Sequence, residues 1–247
     1  MKQDIVLLPS QSKTLIGKAI WQRKSIERCM SEKRKIVICR GTTNSYLLEE
    51  FQKAPLEKER FTTGVVMPGG KYWIDNQKIS EKVIDCGILK DFDFEKDMST
   101  LESGDIVLKG ANSINYAKST AGILILNKAG GTLNHIFEAV FGRRVRLIVP
   151  AGLEKEVSFD LDEMSEMMGE ADCTAETPRL FSIRTDLFTE IEAISVLTEG
   201  KVEAYHIATG GIKGAQGAVR LLLDGDKEEV ERIVEFTKKL PINDIFT

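Results

Sequence analysis

Along the chain, Leu15, Ile16, Ala19, Ile20, Ile26 and Met30 fall at helical spacing over residues 13–31. The pattern then switches to the short, nearly continuous apolar run Lys35-Ile36-Val37-Ile38-Cys39, which reads as a helix followed by a buried strand. Similar runs recur at Ile106-Val107-Leu108, at Ile123 to Leu126 and at Leu147-Ile148-Val149. Strands without alternation fit a parallel sheet covered on both faces by helices, so the expected core is a doubly wound, mainly parallel α/β sheet. Residues 61–89 hold Thr63 to Met67 and Lys82 to Asp85 around the turn-rich Pro68-Gly69-Gly70, which predicts shorter strands or an antiparallel addition.

After Pro150 the texture changes. An acidic, Met-containing helical stretch from Leu161 to Met168 is followed by the polar segment Gly169 to Pro178, read as a linker. Beyond it the pattern predicts a strand at Leu180 to Ile183, a helix with Leu187, Ile191, Ile194 and Leu197 on one face, and strands at Val202 to Ala208 and Ala218 to Leu223. A last helix starts at Asp226, with Glu229 placed to complete a capping box and Val230, Ile233, Val234 and Leu240 as its buried stripe. The expectation is an α/β domain over residues 1–170 and a smaller α+β, ferredoxin-like domain over residues 178–247.

Composition narrows the function classes. With 247 residues, 42% hydrophobic and 29% charged, the chain has the make-up of a globular protein of one large or two moderate domains. No apolar run approaches the ~20 residues a bilayer requires, and the N-terminus lacks the pattern of a secretory signal, so a cytoplasmic protein without membrane attachment is expected. Thirty-four basic against 38 acidic residues, without a long basic tract, argues against nucleic acid. The four cysteines are scattered and His135 and His206 lie far apart, so neither a disulfide framework nor a metal site is predicted.

In open α/β sheets ligands bind beyond the carboxyl ends of the strands, where helix N-termini attract anions. Three turns have that placement. Gly41-Thr42-Thr43-Asn44-Ser45 follows the 35–39 strand and opens a helix; it suits a phosphate, although Thr and Asn also serve as ordinary N-caps. Asn127-Lys128-Ala129-Gly130-Gly131-Thr132 joins a cation to two glycines and leads to His135 and Glu138, one able to shuttle a proton. The bland reading is a glycine turn with a solvated lysine and a packed histidine. Lys109-Gly110-Ala111-Asn112-Ser113-Ile114-Asn115 follows the third strand and offers amides rather than carboxylates. The glycine cluster 209–217 reads as a hairpin loop; as a lid it would bring Lys213 over an anion held elsewhere. His206, alternating with Tyr205 and Ile207, reads as a strand-face residue.

At these turns the sequence resembles the superfamily that contains ribose-5-phosphate isomerase, glucosamine-6-phosphate deaminase and the CoA transferases, over roughly residues 13–157. The resemblance rests on Gly41-Thr42-Thr43 with Ser45-Tyr46-Leu47-Leu48-Glu49-Glu50-Phe51, similar to the family's phosphate turn, and on Lys109 to Asn115, in the place of the isomerases' Asp-Gly-Ala-Asp-Glu-Ile-Asp run. Gly110, Ala111 and Ile114 match, whereas every acidic position departs. Proton abstraction beside a sugar carbonyl uses a carboxylate base, which Lys109, Asn112, Ser113 and Asn115 do not supply. A transferase would need a nucleophilic glutamate, for which Glu138 and Glu154 are the candidates. Gly152-Leu153-Glu154-Lys155 resembles a Gly-x-Glu-Lys segment of lactate-utilisation proteins in the same superfamily; taken alone it reads as a strand-end loop with a surface ion pair.

The expected function is binding of a phosphorylated or CoA-type anion, in an isomerase or transferase that lacks the usual carboxylates. The rival is a non-catalytic metabolite sensor or assembly subunit. Gly41 to Ser45 would hold phosphate, Lys109, Gly110, Asn112 and Asn115 the polar body, and Lys128 with Gly130, Gly131 and Thr132 a second anionic group. His135, Glu138 and Glu154 are the acid–base candidates. Expected partners are a sugar phosphate, nucleotide or CoA ester and, in a homo-oligomer, further copies of the chain; no cofactor is predicted.

Overall fold

Apolar triplets at 36–38, 106–108 and 147–149 lie side by side in the computed structural model, which describes residues 1–63, 78–174 and 176–242 and the backbone of two short strands at 65–66 and 72–73. The first half of the chain runs β1 (Lys2–Leu7), α1 (Pro9–Ile20), α2 (Lys24–Ser31), β2 (Ile36–Ile38), α3 (Thr42–Gln52), β3 (Val65–Val66), β4 (Tyr72–Trp73), β5 (Glu81–Asp85), β6 (Ile88–Phe92), α4 (Phe94–Asp97) and β7 (Ile106–Leu108). The second half runs β8 (Ser113–Asn115), β9 (Thr120–Ile125), α5 (Thr132–Phe137), β10 (Arg146–Pro150), α6 (Leu161–Met167), β11 (Arg179–Arg184), β12 (Asp186–Phe188), α7 (Glu190–Leu197), β13 (Val202–Gly210), β14 (Ala218–Gly225) and α8 (Lys227–Lys238).

The fold is mixed α/β. Its largest sheet has the order β12-β10-β7-β2-β5-β6. The first four strands are parallel, whereas β5 pairs antiparallel with β2 and β6 with β5, the antiparallel addition expected for that region. β3 and β4 form a separate antiparallel pair, and the Pro68-Gly69-Gly70 turn lies outside the described residues. Ile36, Val37, Ile38, Val107, Leu108, Ile148 and Val149 are all fully buried, as unalternated central strands require. Each such side chain contributes about 1.5–3 kcal/mol of transfer free energy.

Two antiparallel three-stranded sheets complete the fold, β11-β9-β8 and β1-β14-β13. Segments from before and after the 169–178 stretch therefore share sheets, because β1 pairs with β14, β9 with β11, and β10 with β12. The Ile123–Leu126 run, expected in the parallel sheet, instead belongs to antiparallel β9. Of that run only Ile123 is buried, while Leu124 and Ile125 are half-buried and Leu126 is exposed, as an antiparallel strand at the side of the core allows.

Further differences have local causes. The helical stretch 13–31 starts earlier, at Pro9, and breaks into α1 and α2. Arg23 at the break is extended, and its guanidinium donates to both carboxylate oxygens of Asp186 at 2.8 and 2.9 Å, fixing the break against β12. Leu187 sits in β12 rather than in a helix, since Thr189 and Glu192 form a capping box that starts α7 after it. Asp226 caps α8 as expected, but Glu229 pairs with Arg232 instead of closing a box.

α1 crosses α3 closely at Gly17, where an added Cβ would stand 3.0 Å from the Tyr46 carbonyl oxygen and 3.3 Å from the Leu47 amide nitrogen. Trp21 Nε1 donates to the Leu47 carbonyl one turn further on. Gly17→Val is expected to destabilise the chain by about 1–3 kcal/mol through overpacking. Urea unfolding checks this: the midpoint falls with the slope unchanged, and an unchanged midpoint would show that the helices separate without cost.

Candidate functional site

β2, β7 and β10 are parallel and level: Ile38 aligns with Leu108, and Leu108 with Ile148. The chain segments that leave their carboxyl ends therefore emerge side by side, and a cleft of about 580 Å³ opens there. Arg40 to Thr43 enter it after β2, Lys109 to Asn112 after β7, and Lys155 after β10. Ile123 to Asn127 and Gly130 to Leu133 form another wall, and Thr63 and Lys78 also face the cleft.

The first turn opens α3 with Gly41 at the N-cap, and no side chain caps the helix. Its first-turn amides are left for another acceptor. Thr43 is 1% exposed and its Oγ1 has no hydrogen-bond partner, an arrangement that ordinarily costs about 1–3 kcal/mol. Asn44 and Ser45 serve the scaffold instead. Asn44 Nδ2 donates to the carbonyls of Cys39 at 2.8 Å and Leu108 at 2.9 Å, tying α3 to two strand ends, while Ser45 Oγ donates to the Thr42 carbonyl.

Of the second turn, Gly130, Gly131 and Thr132 line the cleft, and Lys128 is exposed outside the lining. Gly130 and Gly131 have φ of 82° and 55°, a left-handed pair that explains glycine at both positions. His135 stacks on Phe94 with centroids 5.9 Å apart, and Glu138 is ion-paired with Arg143; neither lines the cleft. From the third turn, Lys109, Gly110 and Asn112 line it. Asn115 lies elsewhere, where its amide donates to the Phe159 carbonyl and its Oδ1 accepts from the Lys118 backbone. Lys213 is exposed on the β13–β14 loop, outside the lining. His206 lies on β13 between Glu156 at 2.6 Å and Thr209 at 2.7 Å.

Four lining residues are cationic, Arg40, Lys78, Lys109 and Lys155, and no carboxylate is among the described lining residues. Arg40 Nε lies 2.7 Å from Glu81 Oε2, at an angle too bent for a hydrogen bond. Lys155 is not in a surface ion pair: its Nζ donates to the Ala111 carbonyl at 2.8 Å, inside the cleft. Burial pushes the ammonium groups of both Lys109 and Lys155 below the usual lysine range; at Lys155 the charge of Glu154 opposes the shift, and Lys13 and Lys109 add to it. Burial also pushes the Cys39 thiol, at the end of β2, up to about 12, which leaves it inert as a nucleophile.

Sequence reasoning passed over Arg40, Lys78, Lys155 and Glu190. Glu190, the first residue of α7, is fully buried, and its carboxylate accepts from the Leu153 amide at 3.0 Å. Burial, reinforced by the charge of Glu154, pushes its pKa up to about 8. Glu154 folds back over Gly152, where a Cβ would overlap its carboxylate, and its Oε2 is buried without a partner. Both carboxyl groups lie near enough to Lys155 to act on it electrostatically.

The elevated Glu190 pKa sets a sign for stability. Folded chains hold that proton up to about 8, whereas unfolded chains release it near the ordinary glutamate value of 4.5. The contribution is complete below that value and is lost as pH rises through about 8. Glu190→Gln keeps an acceptor for Leu153 and removes the charge, so its melting temperature should exceed the wild type's by several degrees near pH ~9 and match it near pH ~5. Equal melting curves at both pH values would show that Glu190 carries no buried proton. No protein-family model matches the chain, and neither does any curated protein or solved structure, so the chemistry of the cleft rests on these residues alone.

Proposed function

We propose that the protein binds a phosphorylated or comparably anionic small metabolite in the cleft at the ends of β2, β7 and β10. The observation that carries this reading is the convergence of four cationic side chains, unaccompanied by a lining carboxylate, in a chain whose net charge is −4. Desolvating an ammonium costs several kcal/mol unless a counter-charge arrives. Lys109 makes no ion pair among the described residues, and Lys155 has only a carbonyl in hydrogen-bond contact. An anion supplies what both lack, and the amides of α3 with the Thr43 hydroxyl add neutral donors suited to phosphate oxygens.

The same arrangement supports isomerase- or transferase-type chemistry by a divergent member of the superfamily that the turn motifs resemble. Burial lowers the pKa of both lysine amines, a shift toward the range of a general base that could stand in for the missing carboxylates. Glu190, with Glu154 beside it, is a neutral carboxyl able to hold a proton near Lys155. The finer reading of a doubly wound core with a ferredoxin-like companion draws its support from the four parallel strands and the β1-β14-β13 sheet carrying α8. A substrate with a carbonyl next to its exchangeable carbon, such as a sugar phosphate, fits that chemistry.

Thermal melts with inorganic phosphate, pyrophosphate and sugar phosphates test the reading. A ligand at a hundredfold excess over its Kd stabilises the fold by about 2.7 kcal/mol, or roughly 5–10 °C at this size. In Lys109→Met and Lys155→Met that shift is expected to disappear while the ligand-free melting temperature holds or rises, because each change removes an ammonium group that burial destabilises. Lower stability of both variants, with ligand shifts intact, would make the lysines structural and defeat the proposal. Deuterium uptake from solvent into a bound sugar phosphate then separates an enzyme from a sensor.

A further inference from the structure

The cleft has an apolar neighbour. A crevice of about 190 Å³ is walled by Ile136, Val140, Leu147 and Ile183 and rimmed by Phe137, Phe141 and Phe181. Ile125, Gly130 and Leu133 line both spaces, so the two adjoin along one wall at the glycine turn that precedes α5. A cavity of about 150 Å³ with walls of this kind takes up benzene, so the volume suits one ring or a short alkyl chain.

Two features distinguish the crevice from an ordinary surface. Phe137 and Phe141 are 51% and 56% exposed, although aromatic rings are the side chains that gain most from burial. They stand side by side, with centroids 4.4 Å apart, and Phe137 meets Phe181 edge-on at 6.3 Å. The backbone that carries them is unusual, since α5 continues into a π-turn over Glu138–Gly142, a wide winding found frequently at functional sites. The floor, by contrast, is firm: Ile136 is 2% exposed and Leu147 is 6% exposed.

Resting on the anion reading of the cleft, we infer that the ligand is amphipathic, with an anionic group held by Lys109 and Lys155 and an apolar chain of the same molecule laid in the Phe137–Phe141–Phe181 crevice. The shared wall, with cationic groups on one side of it and aromatic rings on the other, commits the occupant to one molecule rather than two. A purely polar sugar phosphate would leave the crevice to water, whereas an alkyl or aryl phosphate, or an acyl group joined to a phosphate-bearing carrier, fills both spaces. Gly130, which lines both spaces, places no side chain of its own between them.

Titration calorimetry with straight-chain alkyl phosphates from ethyl to octyl tests the inference, with inorganic phosphate as the chain-free reference and octyl glucoside as the uncharged chain. On the wild type, Kd is expected to fall by up to about fourfold per methylene and then level once the crevice is full. In Phe137→Ser with Phe141→Ser, both exposed enough for the fold to survive, inorganic phosphate should bind as before and the dependence on chain length should collapse. A flat series on the wild type, with inorganic phosphate still bound, overturns the inference and leaves the anion reading standing. An unchanged slope in the double variant, or octyl glucoside binding as tightly as octyl phosphate, also overturns it. If no phosphate of any length binds, the anion reading fails first and this one with it.

Discussion

The level parallel register of β2, β7 and β10 is the constraint on which the rest of the molecule depends. Each strand offers only three to five residues, yet the ends must match to within one residue, because a slip moves a strand by about 3.3 Å and turns every side chain to the other face. The opposite ends of the strands show how the register is held. Asp105, 3% exposed, accepts from the backbone amides of Lys35 at 2.9 Å and Glu102 at 2.8 Å, and its own carbonyl accepts from the Arg146 amide. One buried carboxylate and one carbonyl thereby pin the starts of three strands, and their carboxyl ends arrive together without further adjustment. Asn44 repeats the device at the far end, joining the ends of β2 and β7 to the first turn of α3.

That geometry concentrates positive charge. Arg40, Lys109 and Lys155 come from three different strand ends, and alignment alone sets them around one space. A surface would let each lysine reach water, whereas here the walls of β9 and the 127–132 turn shield them. The structure answers Arg40 with the buried Glu81 and gives Lys155 a carbonyl, but among the described residues it places no carboxylate in hydrogen-bond contact with Lys109. Part of the folding free energy is thus forgone at the site, as is usual where function rather than stability selects the side chains.

Much of this could be read from the sequence, and what could not has physical reasons. Unalternated apolar triplets located β2, β7 and β10, and the turns after the first two were recognisable from glycine and threonine at strand ends. Periodicity does not report partners, however, so β9 had the same texture as the parallel strands and was assigned to their sheet. Lys155 follows a glutamate directly, which in sequence resembles a solvated pair; only the fold shows the two side chains parting, the lysine into the cleft and Glu154 back over Gly152. Glu190 was hidden in another way. Acidic residues at a helix start are ordinary, and its neighbour Glu192 does perform that ordinary role, so nothing local marked Glu190 as buried. The one available signal was the glycine at 152, whose lack of a Cβ makes room for a carboxylate.

On the proposed reading, the titratable groups in and near the cleft would also link the charge of an anion to the protons of the protein. An arriving anion favours the ammonium form of Lys109 and Lys155, whose pKa values burial has lowered, and it disfavours ionisation of Glu190, whose pKa burial has raised. Both effects have the same sign, so an anion in the cleft would favour the protonated form of all three groups. Linkage makes the relation reciprocal: whatever protonates this cluster tightens the grip on an anion by the same factor. In the proposed binding mode the cleft would couple the presence of an anion to the protons of the groups around it, and such coupling is what a cleft must possess if it is to move a proton on its ligand rather than only hold it.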